Sequence, residues 1–250
     1  MRLLPSAVKK VADELGLEVY QPERIRSEDA QARIRELKPD AMVVVAYGQI
    51  LPATLIEAPE LGTFNVHASL LPRHRGPAPI EWAILSGDAQ TGVTIMQMDA
   101  GVDTGPILKQ QETPIAPRET AQELETRLAA LGGRLMVETL AEVDQGLVHP
   151  IPQPASGATH AARLKSEDGK LDPETMTALE IDRRVRALSE RIGTWMQIKG
   201  EEVKVLTGHL DGSAPDGYPV QTREGVYVVD ELQAPGGKRM SATAWLRGRR

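Results

Sequence analysis

The chain has 250 residues, 41% hydrophobic and 26% charged, with a formal net charge of −6. That length predicts two domains, because single cores stop growing near about 250 residues. Zero cysteines exclude a disulfide framework and thiolate chemistry, five scattered histidines give no zinc spacing, and no apolar run approaches the ~20 residues that span a bilayer. No metal and no membrane are expected, and the composition is that of a cytoplasmic protein.

In chain order, Val8 to Leu15 carries apolar residues at helical spacing, and Glu18 to Gln21 reads as a short strand ending at Pro22. Asp29 to Leu37 is a second amphipathic helix behind Ser27 as its N-cap. Ala41 to Ala46 is a continuous apolar run suited to a strand covered on both faces. Gly62 to Val66 is the next strand, Pro79 to Ser86 a helix stopped by Gly87, Val93 to Met98 another strand, and Thr120 to Val143 a long helix. His149 to Pro154, with three prolines, is a stiff, extended linker. Beyond it, Leu179 to Leu188 is a helix, and Val203 to Leu206, Pro219 to Gln221 and Val226 to Val229 are short strands among Gly, Pro and Asp turns. Residues 1–146 therefore read as an α/β layered domain, 147–165 as a linker and 166–250 as a smaller β-rich domain.

The acid excess lies in the first part of the chain, and the tail is near neutral with local basic clusters. Arg183-Arg184-Val185-Arg186, Lys238-Arg239 and Arg247-Gly248-Arg249-Arg250 are candidate phosphate contacts; each reads equally as a solvated face.

The chemistry is concentrated in two turns. Asn65-Val66-His67-Ala68-Ser69-Leu70-Leu71-Pro72-Arg73-His74-Arg75-Gly76 is followed by Met98-Asp99-Ala100-Gly101-Val102-Asp103-Thr104-Gly105. Together they supply an amide, an imidazole and a carboxylate, the side chains needed to move a proton while stabilising an oxyanion.

The pattern Asn-x-His-x-Ser-Leu-Leu-Pro-x-x-x-Gly with a downstream Asp-x-Gly-x-Asp-x-Gly resembles the 10-formyltetrahydrofolate-dependent formyltransferases. Within them, the flanking segments Leu4 to Lys9, Val43 to Pro52 and Thr91 to Asp99 are most similar to the methionyl-tRNA formyltransferase family, and the similarity runs on to Lys238-Arg239-Met240-Ser241. The resemblance implies a Rossmann-like formyltransferase domain followed by a small, OB-like β-barrel that contacts tRNA. It implies 10-formyltetrahydrofolate as formyl donor and the α-amino group of initiator methionyl-tRNA as acceptor, with no obligate protein partner. Relatives that formylate an amino sugar or glycinamide ribonucleotide, or hydrolyse formyl-folate, share the same polar trio, so the trio alone does not choose among them. An inactive fragment or a binding module is a further alternative.

Asn65 suits hydrogen bonding to the oxygen that turns negative when an amine attacks a formyl carbon; an Asn at a strand end is also a common turn residue. His67 lies two residues along and so shares Asn65's face, and an imidazole titrating near ~6.5 can exchange the proton of the attacking amine. The competing reading is a histidine satisfied by neighbouring backbone, and His74 is a weaker competitor for the role. The resemblance assigns catalysis to Asp103, expected beside His67 to raise its pKa and orient it, while Asp99 is a turn-former. It also places Ser69, Leu70, Leu71 and Pro72, with Tyr47, Gly48, Leu51 and Gly101, around the reduced folate; as bare sequence, such apolar runs are more often core. Arg73 and Arg75 are candidates for the folate tail or the tRNA end, or solvated loop arginines.

A Rossmann-like domain is expected to open with a strand, a glycine turn and a helix. This chain begins at a helix that, in the resemblance, follows that unit. The expectation is an N-terminally truncated domain, with Met1 internal to a longer natural product.

Overall fold

The computed structural model describes residues 5–210 and 217–248; Leu4 of the opening segment and Arg249 and Arg250 of the last basic cluster lie outside the described residues. The first helices are α1 (Ala7–Glu14) and α2 (Glu28–Glu36), with Ser6 and Ser27 as N-caps accepting from the amides of Lys9 and Ala30. The expected strand at Glu18 to Gln21 does not form. Among the described residues no strand lies alongside to take its backbone hydrogen bonds, and Tyr20 is exposed.

The first sheet holds β1 (Met42–Val44), β2 (Thr63–His67), β3 (Gln90–Gln97) and β4 (Ile107–Pro114) in that order. β1 runs parallel to β2, whereas β2, β3 and β4 pair antiparallel, so the α/β layers form around a mixed sheet. A short helix α3 (Ala53–Ile56) lies between β1 and β2. β1 is the edge of this sheet and leaves Val43 and, just past its end, Val45 exposed; the two-sided cover expected for Ala41 to Ala46 is not found. β4 escaped the sequence reading because its residues, Ile-Leu-Lys-Gln-Gln-Glu-Thr-Pro, are mostly polar, as suits an edge with one wet face.

α4 (Pro79–Ser86) has the expected bounds: Pro79 opens it at a position where no N–H is needed, and Gly87 ends it at φ 72°. α5 (Ala121–Asp144) starts behind Thr120 and Glu123, which bond each other's backbone amides in a capping box. Its stripe Leu124, Leu128, Leu131 and Leu135 packs with Phe64, Val93 and Ile95 to form the first core. Gly132 faces the sheet so closely that a Cβ there would come 2.7 Å from Val66. With Phe64 and Val66 turned to α5, the alternation of β2 sends Asn65 and His67 to the opposite face.

After a 3-10 turn at Ser166–Gly169, α6 (Ala178–Leu188) leads into an antiparallel, barrel-like unit. Its strands are β5 (Thr194–Ile198), β6 (Glu201–His209), β7 (Tyr218–Gln221), β8 (Val226–Gln233) and β9 (Met240–Ser241), ordered β5-β6-β8-β7 with β9 also on β8; α7 (Ala242–Arg247) closes the described chain. α6 serves both cores: Ile181 and Val185 pack among Met196, Val203 and Tyr227, whereas Ala187 and Leu188 pack with Ile84 and α5. The basic cluster on this helix is spent largely inside the protein. Arg186 pairs with Asp182 and donates to the carbonyl of Glu119, and Arg184 donates to the carbonyl of Lys170.

Candidate active site

The β3–β4 connection, residues 98–106, folds back over the face of β2 that carries Asn65 and His67, and brings Asp103 to them. Asp99 accepts from the Gly101 amide and the Thr104 hydroxyl, and so shapes the turn. Gly105 is pressed against β3; a Cβ there would lie 1.8 Å from the Gln97 carbonyl oxygen. Asp103 itself has φ 53° and His74, in the facing loop, φ 60°, a left-handed backbone that is uncommon outside glycine and gathers at functional sites.

The Asp103 carboxylate accepts two hydrogen bonds. One oxygen accepts from Asn65 Nδ2 at 3.3 Å; the other accepts from the Gly76 amide at 2.8 Å and lies 3.6 Å from His67 Nδ1. His67, 5% exposed, sets its Nε2 at 2.9 Å from the carbonyl oxygen of His74. A carbonyl only accepts, so Nε2 carries the proton, and in the neutral ring the lone pair of Nδ1 faces Asp103. The tautomer thus follows from the backbone partner.

Burial pushes the His67 pKa below the ordinary histidine value, against the opposing influence of the Asp103 charge and the bond to His74. The influence of Asp103 has the expected sign, but desolvation is larger and sets the net direction. The result is a neutral imidazole at pH 7, able to accept a proton.

This carries a stability consequence. Below the unfolded value of about 6.5, an unfolded chain takes up a proton that folded His67 resists, so stability falls as the pH is lowered through that value towards the folded pKa. The thermal midpoint is expected to drop between pH 7 and pH 5, and to drop less in His67→Asn. Equal drops in the two proteins, followed by scanning calorimetry, would remove His67 as the source.

Behind the histidine stands a support that sequence reasoning missed. Asp88, just past the Gly87 stop of α4, accepts from both arms of Arg73 and lies 2.7 Å from His74 Nε2. Burial pushes its carboxyl up, but the bonds to Arg73 and His74 outweigh that and hold it below the usual range. His74 is thereby pinned with its carbonyl on His67, which places it behind the site rather than in competition for the catalytic role. Nothing in the spacing of Arg73, His74 and Asp88 advertises this cluster, since it arises only when α4 turns back on the loop. Arg73 and Arg75 both have internal partners, Asp88 and Gln153.

The proposed folate residues fall into two sets. Ser69 and Leu71 are buried: the Ser69 hydroxyl donates to the Arg73 carbonyl, and Thr94 Oγ1 donates to the Ser69 carbonyl and accepts from the Leu71 amide. Leu70, Pro72 and Leu51 are half-buried, and Tyr47, Gly48 and Gly101 are exposed. Because β1 and β2 are parallel with Val44 beside Asn65, the segment after β1 that carries Tyr47, Gly48 and Leu51 leaves the sheet at the same end as His67. Among the described residues no group of histidines and carboxylates has the arrangement of a metal site.

Comparison with known proteins adds to this geometry. Residues 2–140 match the formyl transferase family and residues 163–250 the formyl transferase C-terminal domain. The methionyl-tRNA formyltransferase of Halorhodospira halophila is 46% identical over 261 residues, covering 100% of this chain and 84% of that protein. The one from Paracoccus denitrificans is 44% identical over 250 residues, covering 98% and 83%. Among solved structures, HypX from Aquifex aeolicus in complex with tetrahydrofolic acid superposes with a TM-score of 0.67 at 19% identity over 87% of this chain. The chain spans 40% of the length of that protein, and the likeness is one of fold.

Proposed function

As the chain belongs to the methionyl-tRNA formyltransferase family, we propose that it transfers the formyl group of 10-formyltetrahydrofolate to the α-amino group of initiator methionyl-tRNA, in the cytoplasm. The observation that carries the reading is the convergence of Asn65, His67 and Asp103 on one sheet face, with Asn65 bonded to Asp103 and His67 Nδ1 3.6 Å from it. Residues 1–146 form the catalytic domain, 147–165 the linker and 166–250 the tRNA-binding domain.

The donor, when bound, supplies a formyl carbon on a nitrogen that can leave. The chain around the catalytic trio suits its part-apolar, part-polar rings. Tyr47 and Ile50 offer exposed apolar surface past the end of β1, Leu51, Leu70 and Pro72 are half-buried, and Gly48 and Gly101 carry no side chain to hinder approach. Ser69 and Leu71, turned inward, fix the shape of that wall through Thr94.

His67 Nδ1 accepts the proton that the attacking ammonium must lose, and its Nε2–H remains on the His74 carbonyl throughout. Asp103, which accepts from the Gly76 amide and from Asn65, stabilises the imidazolium that results. Asn65 uses one N–H on Asp103, which fixes the orientation of its amide; the second N–H is free for the oxygen that becomes negative as nitrogen adds to the formyl carbon. The new C–N bond then persists and the old one breaks; of the two protons the ammonium gives up in becoming an amide, the imidazolium passes the first to the leaving nitrogen and the second is released to solvent. Lys238 and Arg247, both exposed, are the contacts proposed for tRNA phosphates.

The test is transfer of labelled formyl from 10-formyltetrahydrofolate, with initiator methionyl-tRNA and a nucleotide-linked amino sugar as competing acceptors. Saturable transfer to the tRNA is expected; transfer confined to the amino sugar would overturn the reading.

A further inference from the structure

The segment leaving α5 is more than a spacer. Ile151 exchanges two backbone hydrogen bonds of 2.8 Å with Ile107 at the start of β4. Farther on, Arg75 donates its amide to the Thr159 carbonyl at 2.9 Å and accepts from the Ala161 amide at 2.6 Å, and the His74 amide donates to the Thr159 hydroxyl at 2.8 Å. The chain from 151 to 161 is thus strapped across both catalytic loops. Gly76 sits so close beneath it that a Cβ would come 2.5 Å from the Ala161 carbonyl oxygen.

Within the strap, Gln153 lies between the two loops with its hydrogen-bonding capacity filled. Its Nε2 donates to the carbonyls of Asp103 at 2.9 Å and Gly105 at 2.8 Å, and its Oε1 accepts from Arg75 Nε at 2.9 Å and Nη2 at 2.6 Å. Two donors meet two carbonyls and two lone pairs meet a guanidinium edge, so the orientation of the amide is fixed at both ends; a reversed amide would set oxygen against oxygen and N–H against N–H. No other neutral side chain has this donor and acceptor pattern at this length. Asp103 meanwhile holds a left-handed backbone, which a loop keeps only when its surroundings hold it there.

We infer that Gln153 is a positioning residue for formyl transfer: by clamping the Asp103–Gly105 backbone to Arg75, it holds the Asp103 carboxylate against His67 and Asn65. This rests on the transferase reading above. Its consequence is a change in rate more than in binding, because the atoms it fixes are those that handle the proton.

Gln153→Glu is the informative substitution. It keeps the length and the acceptor for Arg75 but turns a lone pair on the two carbonyls, pushing the loop away. Among the described residues the titratable groups facing His67 are Asp103, from the β3–β4 loop, and His74, from its own loop; losing the nearby Asp103 charge lowers the His67 pKa further. The purified full chain is to be compared with Gln153→Glu and Arg75→Met in single-turnover transfer, and in NMR titration of histidine-labelled protein, which needs no activity. Expected for Gln153→Glu are a saturating rate about 10-fold lower with KM for tRNA within about 2-fold, and a His67 pKa shifted down relative to the parent. Arg75→Met should lose rate in the same direction, and it decides the matter should Gln153→Glu not fold. An unchanged rate and titration, or a rate that falls only in step with the folded fraction, overturns the inference. Should the parent itself transfer no formyl to tRNA, the functional reading fails while the His67 titration still decides the positioning role.

Discussion

Replacing His67 by alanine is expected to lower the single-turnover rate of formyl transfer about 10³-fold, within the range typical of a lost general base. Burial is the cause. His67 is 5% exposed and is held neutral by desolvation, so near neutral pH the resting site holds a base with its free lone pair on Nδ1. Deleting the ring removes that base, and His74 in the facing loop has its Nε2 on Asp88. Asp103→Asn should cost less, about 10²-fold, because the base survives but its imidazolium loses a counter-charge. If the two act as one unit, the double variant will be no slower than His67→Ala alone by more than a few-fold. A His67→Ala protein that is folded by circular dichroism and retains a tenth of the parent rate would show that the proton leaves by another route.

The sequence made the site legible and its supports illegible, and the reason is chain distance. Asn65 and His67 are two residues apart on one strand, so period-two geometry placed them together without any tertiary knowledge. Likewise Pro79, Gly87, Ser27 and Thr120 mark helix ends by local chemistry, and those bounds came out within about a residue, the usual scatter of such assignments. Local signals failed where neighbours decide. Glu18 to Gln21 reads as a short strand but, among the described residues, finds no strand to pair with, whereas the polar stretch Ile107–Pro114 becomes a strand because β3 lies beside it.

The same logic governs the supporting residues. Asp88 lies 14 residues beyond His74, and Gln153 lies 78 residues beyond Arg75. Neither separation has a period that a sequence can display. Gln153 sits in a run read as an extended linker, and extended it is; what composition did not show is that an extended strap can cross two loops and donate to their carbonyls. Nor did charge counting foresee that Arg183-Arg184-Val185-Arg186 would spend Arg184 and Arg186 on internal carbonyls and Asp182. The net direction of the His67 shift lay beyond the sequence for a related reason: a nearby carboxylate can be guessed from a motif, but the depth of burial that outweighs it belongs to the fold.

Asn65→Ala is expected to reduce the saturating rate of transfer about 10²- to 10³-fold with little change in KM for the folate donor, because a preorganised donor to a developing oxyanion acts mainly in the transition state. The amide has two hydrogens on Nδ2. One is committed to Asp103, and that commitment turns the other outward on the face that His67 shares. No rotation is then needed when charge develops on the substrate oxygen, and fixed dipoles of this kind give more than a mobile water would. Asn65→Asp should be slower still than Asn65→Ala: it sets a second carboxylate against Asp103, replaces a donor by an acceptor, and pushes one of the two carboxyls towards protonation. The order parent, alanine, aspartate therefore separates an electrostatic role from mere space filling, since aspartate matches asparagine in size. If aspartate outperforms alanine, shape and not the N–H is what the site requires of residue 65. If instead KM rises and the saturating rate holds, Asn65 binds the ground state, and stabilisation of the oxyanion must be assigned to backbone amides of the two loops.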